Sequence, residues 1–413
     1  MKIFSDYFQS GFRSVKSLQS WQPMSPQDVI SDRAGRLIKT LTGYWAFVPT
    51  PLPPAIEFDA ALVLLLSQAD AALSELSGLG RYLPNPDLLI APYMNREAVA
   101  SSRIEGTQAD LSDLLLDEIE PKRTPPGSDV LEVRNYVAAL NLGIRKLDKL
   151  PLAGRLVRDL HAVLMQGVRG QERTPGEFRR SQNWIGQPGS TLADATYVPP
   201  PPDPEMHECL KQWEKFMNQR EQMPELIQCA LIHEHFEAIH PFLDGNGRIG
   251  RLLITLFLIE RGRLSKPLLY LSSYIEQHKD GYYGTLQRIR THGDWSGWLR
   301  YFLVAVRDTA RSAVEQSQGI LRLREHYRNK LKKQHKALTL LDDLFINPYT
   351  TVARAAERLG VASPTASKTI RLIQEAGMLE ETTGREWGRV WVARPILKAV
   401  EATGEAEPPA ASA

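Results

Sequence analysis

His240-Pro241-Phe242-Leu243-Asp244-Gly245-Asn246-Gly247-Arg248-Ile249-Gly250-Arg251 is the stretch that organises this 413-residue chain. An apolar, histidine-containing helix is expected over 226–239, running into His240. Pro241 ends it, because proline lacks an amide donor and crowds the preceding turn. Gly245 and Gly247 flank Asn246, and glycine admits the positive φ that turns successive amides to one side. Such a run makes an anion-binding concavity. A second helix, expected over 248–261, starts at that concavity and aims its positive end at the same anion. Arg248 and Arg251 lie three apart, hence on neighbouring turns of one face. Their guanidinium forks suit phosphate oxygens. Asp244 is a hard oxygen ligand at the rim, which suits magnesium. His240 is the only group in the stretch that accepts a proton near neutral pH. A base, a metal ligand, an anion nest and two arginines describe a phosphoryl or nucleotidyl transfer site.

The stretch is similar to the signature of the Fic family, H-P-F-x-[D/E]-G-N-G-R-x-x-R, with every fixed position matched. That resemblance implies a mainly α fold: a helical Fic core with a β-hairpin flap. It implies transfer of AMP from ATP, with Mg2+, to a Ser, Thr or Tyr hydroxyl of a protein, with self-modification among the options. It also implies a role for each residue. His240 is the base, and Phe242, Leu243, Asp244, Gly245, Asn246 and Gly247 cradle the nucleotide. Arg248 and Arg251 take the β and γ phosphates. Phe242 is expected to point inward and anchor the loop.

A second stretch adds regulation. Residues 92–104 read as a helix that Glu105-Gly106 ends, glycine being favoured just past a helix terminus. Ser101-Ser102-Arg103-Ile104-Glu105-Gly106 is similar to the short Fic inhibitory pattern, [S/T]-x-x-x-E-[G/N]. The resemblance implies that Glu105 faces Arg251 and blocks the γ-phosphate position. It puts Ser101 one turn earlier on the same side. The place of the pattern, ahead of the core, resembles the class with an N-terminal inhibitory helix.

Between these stretches, helices are expected over 59–77, with Gly78 and Gly80 as stops, and over 132–146 and 156–166. Residues 1–56 read as an irregular arm, extended over 45–54 where prolines exclude a helix. Two short extended runs around Gln187-Pro188-Gly189-Ser190 read as a β-hairpin. The family resemblance makes this the flap, with Trp184, Ile185 and Gly186 on the edge that lays a target segment beside the nucleotide by strand addition. Beyond the signature, a helix over 272–290 carries Tyr282 and Tyr283. Adjacent residues on a helix point to different faces, so at most one touches a ligand; the resemblance puts this wall on the adenine side. His233-Glu234-x-x-Glu237 lacks the second histidine of a zinc-protease helix, so metalloprotease chemistry is rejected, and His233 and His235 read as packing groups.

The final core helix is expected over 295–318, followed by a solvated basic connector in which Arg322, Arg324, Arg328, Lys330, Lys332, Lys333 and Lys336 face only Glu325. Residues 337–400 read as a winged helix-turn-helix. Ser363-Pro364 opens its recognition helix, and the wing runs from 379 to 393. Thr365, Ser367, Lys368 and Arg371 would face a major groove. Eight Lys and Arg against seven Asp and Glu give this segment little electrostatic footprint, so both DNA binding through 351–394 and protein docking remain open. The expected organisation is 1–115 arm and inhibitory helix, 116–318 Fic core, 319–336 connector, 337–400 winged helix, and 401–413 disordered tail.

Composition is consistent with this: 43% apolar and 24% charged residues make real cores affordable, and the net charge of +2 names no partner. Two cysteines, Cys209 and Cys229, argue against a disulfide framework and fit a reducing cytosol, so a cytoplasmic protein is expected. The longest apolar run, 60–66, is too short for a membrane span. A homodimer is left open. The rival readings are a Fic enzyme that transfers another phosphoryl-containing group, and a nucleotide-sensing DNA-binding regulator.

Overall fold

The computed structural model describes residues 31–82, 85–120, 128–186 and 189–401. It opens on an antiparallel hairpin, β1 (Gly35–Lys39) and β2 (Trp45–Pro49). Gly35 is obligatory there, since a Cβ would lie 2.4 Å from the Val48 carbonyl oxygen. The arm over 31–56 is thus extended over 45–49 as expected, but it is a paired hairpin and not irregular chain.

Five helices follow: α1 (Ala60–Tyr82), α2 (Asp87–Ile104), α3 (Leu111–Ile119), α4 (Asp129–Leu147) and α5 (Gly154–Leu164). α1 runs through Gly78 and Gly80, which were expected to stop it. Gly80 serves close packing, because a Cβ would sit 3.0 Å from Leu268 and 3.1 Å from Ser265. Over Ala60–Arg81 the helix also has the length and hydropathy of a membrane span, contrary to the short run read in the sequence. One of its faces, with Leu62, Ala69, Leu73 and Leu76, is buried. α3 is fixed at its start by a reciprocal cap between Asp110 and Asp113.

The centre of the molecule is α7 (Glu225–Ile239) and α8 (Asn246–Glu260), which follow α6 (His207–Met217). Every residue of α7 from Leu226 to Ile239 is buried. A helix that is buried on all sides belongs inside a bundle, and α4, α5, α6 and α2 wrap the pair. After α8 come α9 (Ser272–Gln277) and α10 (Lys279–His292), two helices broken at His278 where one was expected. α11 (Trp295–Leu331) is a single helix of 37 residues, capped by Asp294 and laid along α1. The expected core helix and connector are therefore one element. Its basic half is not a solvated spacer: Ile320, Tyr327 and Leu331 are buried in it.

The chain ends in a small module, α12 (His335–Ile346), β3 (Tyr349–Thr351), α13 (Val352–Leu359), α14 (Ser363–Glu375), β4 (Glu380–Glu381), β5 (Val390–Val392) and α15 (Arg394–Glu401). Its strands pair antiparallel in the order β3-β5-β4. Thr351 caps α13 by accepting from the Arg354 amide, and Gly360 takes a φ of +62° to end it. The module sits on α2 and α3: the Asn347 amide donates to the Leu115 carbonyl at 3.0 Å and to Glu118 at 2.8 Å. Residues 121–127, 187 and 188 and the expected disordered tail from 402 onward lie outside the described residues.

Candidate active site

The geometry of 240–251 is braced by its own residues and by side chains from outside the stretch. His240 ends α7 with a φ of +49°, a left-handed conformation that only a few per cent of non-glycine residues adopt. Phe242 is fully buried and stacks on His161, ring centroids 3.8 Å apart. Asn246 clamps the turn: its Oδ1 accepts from the Phe242 amide and its Nδ2 donates to the Phe242 carbonyl, each at 2.8 Å. Gly245 takes a φ of +75° and leads into α8, whose first turn has no side-chain cap. Those uncapped amides are an anion site. Gly247 does not have positive φ, contrary to expectation; its lack of a side chain is what matters. A Cβ there would lie 2.4 Å from Glu105 Oε1.

Glu105 and Arg251, 146 residues apart, meet above that glycine. Arg251 is 3% exposed, and its fork is spent on the end of α2. Nε donates to Ser101 Oγ at 2.8 Å, and Nη2 donates to the Ser101 carbonyl at 2.9 Å and to Glu105 Oε1 at 2.7 Å. Burial pushes the Glu105 carboxyl upward, but Arg251 beside it outweighs burial and the net shift is downward. About a third of the Glu105 side chain stays accessible, so the carboxylate lies at the mouth of the nest.

Arg248 has a partner that its expected role did not include. It is buried, and it donates to Glu132 Oε2 at 3.3 Å, with Asp244 Oδ1 3.7 Å away. Glu132 also accepts from Thr107 and lies 3.7 Å from Arg169, whose side chain is 70% exposed. Arg248 thus holds the nest from behind, while Arg169 stands at its rim. Leu243 is half-buried, and its carbonyl accepts from Arg173.

Asp244 is half-buried. Its Oδ1 accepts from the Gly245 amide at 2.6 Å and its carbonyl from His161 Nε2. His161 is fixed in that tautomer because its Nδ1 accepts from the Gly176 amide. Among the described residues no cluster of three metal-binding side chains forms. A lone carboxylate beside a phosphate nest still fits magnesium, which is usually held by one or two carboxylates plus substrate phosphates. Asp244 would hold the ion through Oδ2.

His240 is half-buried, and its Nδ1 has no partner. Burial and then the Arg179 charge lower its pKa to about 4, so the ring is neutral and able to accept a proton. Two further groups hold its backbone. Arg179 Nε and Asn183 Nδ2 both donate to the His240 carbonyl, at 3.0 and 3.2 Å. Arg179 was legible only as the end of Gly176-Glu177-Phe178-Arg179; Glu132, Asn183 and His161 carried no local signal.

The flap is less regular than a hairpin. Among the described residues one antiparallel bridge, Ile185 to Tyr197, takes the place of paired strands. Trp184 and Ile185 are 40% and 37% exposed beside Gly186. Its return is held from outside: the Phe47 amide of β2 donates to the Val198 carbonyl at 2.9 Å. On the other wall Tyr282 is not free for a ligand. It is 2% exposed, and its hydroxyl pairs with His233 Nε2 at 2.8 Å. Tyr283 is half-buried, with Lys279 over its ring. His233 also bonds the Gly250 carbonyl, so it is a packing group.

Comparison with known proteins matches this architecture. The Fic/DOC family N-terminal model matches residues 63–145, and the Fic/DOC family model matches residues 151–258. A probable protein adenylyltransferase of Aquifex aeolicus (strain VF5) is 25% identical over 198 residues, 47% of this chain and 57% of that protein. Protein adenylyltransferase Fic of Aedes aegypti is 31% identical over 128 residues, 30% of this chain and 22% of that protein. The chain thus spans about half of the first relative and about a fifth of the second. A Fic family protein from Desulfovibrio desulfuricans G20 has the same fold, with a TM-score of 0.54 at 20% identity, covering 86% of this chain and all of that one. Two adjoining family matches and a helical core closed around 240–251 lead to one assignment: the chain is a Fic domain protein.

Proposed function

We propose that this protein is a protein adenylyltransferase, moving AMP from ATP to a Ser, Thr or Tyr hydroxyl of a protein, and that Glu105 holds it in check. The observation that carries the reading is the engagement of Arg251 Nε and Nη2 by Ser101 and Glu105 beside the uncapped start of α8. A carboxylate in a phosphate nest, on the arginine that would hold phosphate, is what a blocked nucleotide site requires.

In this mechanism the first-turn amides of α8 bind the phosphates, and Arg251 takes the terminal one once Glu105 withdraws. The target hydroxyl oxygen attacks the α-phosphorus in line. The bond to the bridging oxygen of the β-phosphate breaks, and pyrophosphate leaves. His240, neutral at pH 7, accepts the hydroxyl proton, a role worth about 10²–10⁴-fold. Magnesium on Asp244 would neutralise phosphate charge. The exposed backbone beside Trp184 and Ile185 gives a target segment a strand edge.

ATP labelled separately on the α and γ phosphates tests this. Label from the α position alone on protein, lost in His240→Ala with ATP binding retained, is the expected result. Label from the γ position would make the reaction phosphate transfer. ATP binding with no label in Glu105→Gly would make the core a sensor.

For the C-terminal module we propose DNA binding. Lys368 and Arg371 are exposed on α14, and the wing carries Trp387, 87% exposed, between exposed Arg385 and Arg389. Lys368→Ala with Arg371→Ala is expected to weaken a mobility shift and reduce its salt slope by about two. No shift by the wild type at low salt would favour protein docking.

A further inference from the structure

Arg179 is 1% exposed and has no carboxylate partner among the described residues. Its donors go to backbone carbonyls on three sides. Nε donates to His240 at 3.0 Å; Nη2 donates to Pro200 and, at 3.4 Å, to Ile239; Nη1 donates to Ser181 at 3.4 Å. Its own amide donates to the Pro241 carbonyl at 2.9 Å. The residues so joined are the last of α7, the left-handed base itself, the proline after it, and both ends of the flap.

A buried guanidinium is costly unless its donors are filled. Here they are filled by the Ile239 and His240 carbonyls, which a left-handed His240 leaves without helical partners, and by the Ser181 and Pro200 carbonyls of the flap. Strain at φ +49° persists only where the surroundings over-determine it. Arg179 supplies that constraint, and Asn183 adds to it by donating to both His240 and Phe242 carbonyls.

We propose that Arg179 is a positioning residue for His240, one guanidinium that locks the base in its left-handed turn and fixes the flap to it. The proposal rests on adenylyl transfer as the reaction. Electrostatics support it. The groups facing His240 are Arg179, Glu105 from α2, Arg290 from α10 and the Glu237 backbone from α7, and Arg179 is the strongest of them after burial. A cation there keeps the imidazole neutral. The guanidinium therefore fixes where the base is and adds to burial in keeping it neutral.

The two effects separate by substitution in the full chain carrying Glu105→Gly. Arg179→Lys keeps the charge and loses the fork. It is expected to lower kcat on the order of 10²-fold, with KM for ATP within about threefold and the acid limb of the rate profile unmoved. Arg179→Gln is expected to lose as much kcat and to move the acid limb up by about one pH unit. NMR titration of the His240 imidazole, assigned by its absence in His240→Ala, reads that shift without turnover. If the parent transfers no AMP, the adenylyl reading fails while the titration still judges Arg179. If Arg179→Gln has no cooperative thermal transition, Asn183→Ala replaces it, with an expected kcat loss of about tenfold. Full kcat in both Arg179→Lys and Asn183→Ala, or an unshifted imidazole in Arg179→Gln, overturns the proposal.

Discussion

The loop that carries His240 and the flap beside it border the same opening, yet they are held in opposite ways. The turn after His240 is braced from within, by Asn246 on both polar groups of Phe242 and by Asp244 on the next amide, while Arg179 and Asn183 tie His240 itself to the flap. The flap has one internal bridge and is held by distant chain. Tyr44 donates to Gln182, β2 donates to Val198, the Tyr197 hydroxyl donates to the Ala238 carbonyl, and Arg290 lies 3.7 Å over the Tyr197 ring. A loop closed by near neighbours can be rigid before anything binds, which suits phosphate and base. One steadied from outside can present a strand edge to varied targets.

The strongest way to break that contrast is Asn246→Ala. It strands the buried Phe242 amide, while the Phe242 carbonyl keeps its bond from Asn183, for a loss of about 1–3 kcal/mol. Labelled-AMP transfer should fall on the order of 10²-fold as the nest and base lose register. Unchanged transfer would mean that the loop is held by something other than itself. Next comes Glu105→Gly, which frees Arg251 from a charge-assisted bond and should raise transfer about tenfold or more. Adding Arg251→Ala should remove the gain, and equal rates for wild type and Glu105→Gly would exclude the inhibitory contact.

On the flap side, Tyr44→Phe removes one outside restraint worth about 0.5–1.5 kcal/mol. It should raise KM for a protein target severalfold and leave ATP affinity, measured by calorimetry, alone. A change in ATP affinity would show that the two regions are not separately held. The smallest expected effect is none. The Glu105 carboxyl is shifted below its ordinary 4.5, so its ion pair is complete above that value and is lost only as pH falls through the lower, folded one. The ratio of Glu105→Gly to wild-type rates should therefore stay flat between about pH 6 and 8. A ratio that collapses in that window would assign the block to another group.

The same contrast explains what was legible in the chain. The helix into His240, the turn and the following helix were readable because proline, glycine and asparagine act on their immediate neighbours. The Glu105–Arg251 contact was reached only through family resemblance; spacing alone does not bring together residues 146 apart. The partner of Arg248, Glu132, was not legible because it lies on α4 and carries no local mark. Tyr282 looked like a ligand wall until its hydroxyl proved to be occupied by His233. In α11 seven basic residues masked the apolar stripe of Ile320, Tyr327 and Leu331, and with it the continuity of the helix.

That continuity has a quantitative consequence. A flexible linker would give anything caught on the C-terminal module a broad, millimolar local concentration at the active site, whatever its shape. A helix of 37 residues, about 55 Å long, allows no such averaging. With the module also bonded to α3, it works as a rigid mount: under the proposed reading, cargo held on the module would meet the site only where its hydroxyl falls at that one reach.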